Sequence, residues 1–247
     1  MNRLAKTYVA LVIAAGASVM FLATDRWSSA SLVSFSAFLA LTVIASTLKF
    51  RIPGMTGTMS ANFAFLLIGV ASFSFSEVVL VSFAAALVQC LWRPKQRLRM
   101  IQVLFSAATL PISAAVSFWA SHAIVRNLFS NSSLAIVILA GCFYMSINTI
   151  LVSLVVGLVE GQKFQRVWQT CYDSVFPFFL VGTLVTGMLA GSLAGAKPWQ
   201  KALFLLPVIV LSHLYFLGRH KRTVHADYLS EEPGDEAELL AVSSAHR

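Results

Sequence analysis

Apolar residues fill this chain in long runs separated by short polar breaks. Each run approaches the ~20 residues, within a range of about 17–25, that a helix needs to cross a bilayer. The runs are Tyr8–Ala23, Ser31–Leu48, Ala61–Phe75, Val78–Trp92, Ile101–Val125, Leu134–Leu158, Val175–Ala194 and Ala202–Leu217. Several are short, which predicts tilted or partly buried helices. As a single helix the 32 residues from Ala61 to Trp92 would rise about 48 Å, well beyond a hydrocarbon core of about 30 Å. Ser72-Phe73-Ser74-Phe75-Ser76-Glu77 interrupts that stretch. The pattern therefore predicts a helical hairpin with Glu77 at its tip, meeting water; if buried instead, Glu77 would be a candidate cation or proton site. A re-entrant hairpin would fit the same pattern.

Composition turns these runs into a class of protein. Charged residues make up 11% of the chain and hydrophobic ones 58%, against about 25% charged in a soluble domain. The mean hydropathy is +0.80. The expected fold is all-α, a polytopic transmembrane bundle of about eight hydrophobic helices making six to eight crossings. Residues 1–218 are expected to form the membrane domain and 219–247 a short cytoplasmic tail. Six of the ten acidic residues lie in the last 21 positions, which predicts a solvated, disordered tail. Met-Asn-Arg-Leu-Ala-Lys resembles the start of a signal peptide, but apolar residues continue to Ala23, so an uncleaved first span is expected.

Charge sets the orientation. Arg93-Pro94-Lys95-Gln96-Arg97-Leu98-Arg99 places four cations in seven residues between two apolar runs, and such clusters stay on the cytoplasmic side. With an inner N-terminus and eight crossings, fourteen of the eighteen Lys and Arg fall on the inner side. The other four are Arg26, Arg126, Lys197 and Lys201. Both termini are therefore expected in the cytoplasm. The net charge of +8 is assigned to lipid headgroups and topology rather than to nucleic acid. Trp27, Trp92, Trp119, Trp168 and Trp199 fall at or near span ends, where an indole anchors in the interface.

Polar residues inside the spans are the candidates for chemistry. Gln102, Ser106, Thr109, Ser113, Ser117 and Ser121 are spaced by three or four, so they form one stripe along a helix. Pro111 lies within it and predicts a kink. The stripe is either a packing seam of small residues or one wall of a ligand pocket. Asn148 and Thr149 sit mid-span, as interhelical bonds or as pocket lining. Asn62 follows the Pro53-Gly54-Met55-Thr56-Gly57 loop, which either is a plain flexible loop or folds back toward the membrane. Asn62, Gln102, Ser106, Thr109, Ser113, Asn148 and Thr149 are the candidate ligand-binding set, facing the bundle interior. Gly187, Gly191 and Gly195 repeat every fourth position, a pattern that lets a neighbouring helix of the bundle approach closely.

Phe164, Val167, Trp168 and Cys171 follow an i, i+3, i+4, i+7 pattern, with Lys163 and Arg166 pointing elsewhere. This predicts a short amphipathic helix on the inner membrane surface. Together Arg93, Lys95, Arg97, Arg99, Lys163 and Arg166 are the candidate surface for a protein partner or anionic lipid. Cys90, Cys142 and Cys171 form no CxxC pair and read as buried thiols. His122 and His213 are isolated, more consistent with hydrogen-bonded or interfacial histidines than with metal ligands. Neither a cofactor nor a metal is expected. The sequence has no Walker A, GxSxG or HExxH motif, so it is read as non-enzymatic.

Leu48-Lys49-Phe50-Arg51-Ile52-Pro53-Gly54, then Ser60-Ala61-Asn62-Phe63-Ala64, the basic loop, Gln102-Val103-Leu104-Phe105-Ser106-Ala107-Ala108, and Asn148-Thr149-Ile150-Leu151-Val152 leading to Glu160-Gly161 occur in that order. Across roughly residues 30–217 this resembles the bacterial membrane-associated sensor domains that precede GGDEF and HD-GYP signalling modules. It is more distantly similar to the substrate-binding subunits of energy-coupling-factor vitamin transporters. The resemblance implies a bacterial inner-membrane module that senses a small-molecule or membrane signal. No enzyme domain follows in this sequence, so cyclic-dinucleotide chemistry is not implied. The expected function is a sensor-like or ligand-binding module acting through a partner; a small transporter or a transporter subunit is the alternative, and an intramembrane enzyme is third.

Overall fold

The polar breaks become helix caps. In the computed structural model, which describes residues 3–25, 27–51, 58–60, 62–92, 99–128, 132–193 and 195–211, the helices are α1 (Arg3–Asp25), α2 (Leu32–Thr47), α3 (Asn62–Ser72), α4 (Phe75–Leu91), α5 (Met100–Leu128), α6 (Ser133–Glu160), α7 (Phe164–Ser192) and α8 (Pro198–Leu211). Ser31, Ser74 and Ser132 are N-caps of α2, α4 and α6, each accepting a backbone N–H three residues on. Such side chains satisfy N–H groups that would otherwise be orphaned at a helix start. Gln102 and Gln200 reach back to accept from the N–H of Arg99 and Lys197 at the starts of α5 and α8. Pro198 opens α8, where its missing N–H matters least. Gly161 closes α6 at φ 68°, the left-handed conformation that glycine adopts without penalty.

These helices form a bundle whose pairing follows chain order. The most extensive contacts run α4 on α5, α5 on α6 and α6 on α7, while α1 lies against α5. Four helical stretches are long and apolar enough to cross a membrane: Arg3–Asp25, Met100–Leu128, Ser133–Glu160 and Val175–Ser192. The other four are shorter apolar helices. Large apolar side chains such as Leu11, Phe21, Trp119, Leu184 and Met188 are exposed on the bundle's outside, the distribution expected of a surface that meets lipid.

The shortest helix is the most enclosed. Every residue from Asn62 to Val70 in α3 is buried, and α3 touches α2, α4, α5, α6 and α7. At 11 residues it rises only roughly 16 Å, about half the thickness of a hydrocarbon core. α3 and α4 form the expected hairpin, turning at Phe73–Ser74. Close approaches tie the long helices together: Gly16 of α1 abuts Ala108 of α5, and Gly182 of α7 abuts the Phe63 ring of α3.

Several expectations change. The fold is helical but not wholly so, because Lys49–Arg51 (β1) and Thr58–Ser60 (β2) pair antiparallel with Phe50 opposite Met59. Residues 52–57 between them lie outside the described residues. The separate surface helix over Lys163–Cys171 is not found. α7 runs unbroken from Phe164 to Ser192 with Pro177 inside it, so the apolar i, i+3, i+4 face at 164–171 is the first part of a longer helix. The glycine series is not a packing seam throughout: Gly187 meets Leu134 and Val137, whereas Gly191 and Gly195 face open space. Of the cysteines only Cys90 is buried; Cys142 is exposed and Cys171 intermediate. His122 is hydrogen-bonded as expected, with Nδ1 at 2.9 Å from Phe118 O, while His213 lies outside the described residues. α5 continues as one helix through Pro111.

Candidate functional site

Glu77 is not a tip residue meeting water; it is 2% exposed. It occupies the third position of α4, where the Ser74–Glu77 capping box places a carboxylate near the positive end of the helix. Oε2 accepts from Ser74 N at 3.0 Å and lies 2.9 Å from Ser74 Oγ. Oε1 accepts from the Ser29 hydroxyl at 2.7 Å. The Ser74 hydroxyl also lies 2.7 Å from Ser28 O, so its single hydrogen serves two acceptors. The carboxylate was expected to find water at the hairpin tip, but the α1–α2 connection folds over it.

The same contacts bound a cleft of about 500 Å³. Its walls come from three connections: Ser28, Ser29, Ala30 and Ser31 before α2 with Ser34 in its first turn; Ser72, Phe73, Ser74 and Glu77 at the α3–α4 turn; and Pro198 at the start of α8. Six serines, one carboxylate and one aromatic ring face the space. Phe73 is held by neighbouring rings, with Phe38 at 4.8 Å and Phe35 at 6.3 Å between centroids. Trp27 packs edge-on to Phe35 at 5.4 Å. Phe38 in turn meets Phe65 of the buried α3, with ring centroids 6.4 Å apart.

The residues expected to bind a ligand are dispersed. Thr109, Ser113, Ser117 and Ser121 are buried, as the stripe predicts. Their hydroxyls bond back to their own helix: Thr109 to Phe105 O at 2.7 Å, Ser113 to Thr109 O at 2.9 Å, Ser117 to Ser113 O at 2.6 Å and Ser121 to Phe118 O at 3.3 Å. Such back-bonding satisfies the hydroxyl without a partner helix, which favours the packing reading over a pocket wall. Gln102 is exposed and Ser106 only half-buried, so the first turn of the stripe does not face the interior. Asn62 is buried and donates to Gln89 Oε1 at 3.3 Å, bracing α3 against α4. Thr149 is buried on α6, and Asn148 Oδ1 and Ser153 Oγ are buried without a hydrogen-bond partner.

Of the candidate partner surface, Arg99, Lys163 and Arg166 are exposed, and Arg93, Lys95 and Arg97 lie outside the described residues. Among the described residues no group of three or more His, Cys, Asp or Glu is placed to hold a metal. The serines of the cleft were missed by the sequence reading. The Ser-x-x-Glu spacing at 74–77 signals the cap, but nothing in the sequence pairs it with Ser28 and Ser29.

Comparison with protein-family models, with curated proteins and with solved structures found no match to this chain.

Proposed function

We propose that this chain is a bacterial inner-membrane protein with six to eight crossings and both termini in the cytoplasm, working as a non-enzymatic, sensor-like ligand-binding module that acts through a partner. The observation that carries the reading is the one-sided placement of the polar cleft. Three connections, α1–α2, α3–α4 and α7–α8, converge on it at one end of the bundle. The Arg93–Arg99 cluster, the Lys163 connection and the α2–α3 connection belong to the other set of turns in chain order. The skewed distribution of cations puts that second set in the cytoplasm, so the cleft faces outward. Below the cleft lie the aromatic cluster, the buried α3 and the α5 hydroxyls that bond back to their own helix. A ligand received at one end and basic surfaces at the other suit sensing better than passage.

Thiol accessibility in intact membranes tests this. In a background lacking Cys90, Cys142 and Cys171, a cysteine at Ser34 should label from outside only, and cysteines at Ser113 and Asn148 from neither side. Labelling of Ser113 or Asn148 positions from both sides would replace sensing with alternating access.

A further inference from the structure

We propose that the Ser28–Ser34, Ser72–Glu77 and Pro198 cleft binds an organic ammonium group, with the Glu77 carboxylate as its counter-charge. This rests on the ligand-binding reading above and adds the chemistry of the ligand.

The argument starts from charge. Glu77 is almost fully buried, and its partners are three neutral donors: the Ser29 hydroxyl, the Ser74 N–H and the Ser74 hydroxyl. Among the described residues no cation pairs with it. A buried carboxylate without a counter-ion is expensive unless something compensates it. Lys197 and Lys201 flank Pro198 in sequence, but neither lines the cleft. Among the described residues the lining is therefore rich in oxygen, carries one carboxylate and has no cation.

Size and shape narrow the class. A volume of about 500 Å³ lies within the range of small-molecule sites, roughly 300–1,000 Å³, and far exceeds what a bare ion fills. Phe73 lines the same cleft as the carboxylate, and an aromatic ring attracts an ammonium through its quadrupole. The serine hydroxyls supply acceptors for the remaining N–H groups, or donors and acceptors for hydroxyls on the ligand. Since the cleft opens at a bundle end, the ammonium could come from a soluble amine or from a phosphatidylethanolamine headgroup.

The experiment is calorimetric titration of the full chain in detergent at fixed ionic strength. Ethanolamine, putrescine and choline are the ammonium probes; glycerol, acetate, sodium and magnesium are the controls. At least one ammonium probe should bind saturably, and none of the controls should compete. Glu77→Gln keeps the capping box, since glutamine serves at that position, yet should weaken binding roughly tenfold to a hundredfold. Phe73→Leu should weaken choline more than ethanolamine. Repeating the ethanolamine titration in nanodiscs separates the sources. Loss of the signal in phosphatidylethanolamine but not in phosphatidylglycerol assigns the site to the headgroup, and retention in both assigns it to the solute. Ammonium binding unchanged in Glu77→Gln, or magnesium competing at equal affinity, overturns the proposal. Binding of glycerol or acetate with no amine bound overturns it too, while leaving the ligand-binding reading intact.

Discussion

The Ser29 hydroxyl donates to Glu77 Oε1 at 2.7 Å across 48 positions of chain. With the Ser74 hydroxyl bond to Ser28 O, it closes the α1–α2 connection over the start of α4 and converts a helix cap into the wall of a cleft. Its energetics follow from the carboxylate being both cap and lid anchor. Glu77→Gln can keep its one oxygen on the Ser74 N–H, with the amide NH2 turned to the Ser29 oxygen, which then accepts instead of donating. Ser29→Ala removes one hydrogen bond to a charged group, worth about 1.5–3 kcal/mol. Glu77→Ala removes the anchor and leaves the Ser29 hydroxyl and the Ser74 N–H without their acceptor. Thermal unfolding in detergent should therefore rank Glu77→Gln as mildest and Glu77→Ala as most severe. Equal melting temperatures for all three would mean that the loop is held by other contacts.

Close helix approaches make a sharper contrast. A Cβ at Gly16 would overlap the Ala108 side chain and lie 2.6 Å from Ala108 Cα. Backbone cannot step aside as a flexible side chain can, so Gly16→Val should destabilise by at least about 1–3 kcal/mol. Gly191 has nothing within 4 Å of the same position. Gly191→Ala should stay within about 0.5 kcal/mol of the parent. Fluorescence-detected melting of the two variants side by side checks the pair; a Gly191→Ala loss as large as that of Gly16→Val would restore the glycine series as a packing seam.

How much could be read in advance divides along a physical line. The eight apolar runs, the turn at Ser72–Glu77 and the inward face of Thr109, Ser113, Ser117 and Ser121 depend on local periodicity, and each is present. Two things were not legible because they depend on distant partners. Glu77 was expected to be wet because a hairpin tip usually is, yet Ser28 and Ser29 lie over it. The α5 stripe could have lined a pocket, but a serine hydroxyl on a helix always has its own i−4 carbonyl within reach, and here the bonds run that way. The continuity of α7 through 164–175 was hidden by charge: Lys163 and Arg166 suggest a surface segment, while the backbone continues helical past them.

The self-bonded stripe makes its own prediction. Ser113 is fully buried and its hydroxyl stays on its own helix. Ser113→Ala removes that local bond and no partner from another helix, so it should change stability by less than about 1 kcal/mol and leave binding at the Ser29–Glu77 cleft untouched. Ser113→Leu inserts volume into a closed seam and should cost about 1–3 kcal/mol. A Ser113→Ala variant that abolished ligand binding would move the site from the cleft into the bundle.

The last prediction concerns how a signal leaves the membrane. Arg99 and Arg166 are exposed, at the start of α5 and in the first turn of α7. With Arg97 they belong to the turns that the proposed topology puts in the cytoplasm. If these cations form a platform for a protein partner, replacing Arg97, Arg99 and Arg166 together with glutamine should abolish partner recovery in a pull-down. Two expected outcomes separate this from a purely topological role. The triple variant should insert normally, with both termini still cytoplasmic by reporter fusion, because eleven of the fourteen inner cations remain. Its melting temperature should match the parent, since neither Arg99 nor Arg166 is buried. Recovery unchanged by the triple substitution would remove the platform; inverted or failed insertion would show that these cations serve orientation alone.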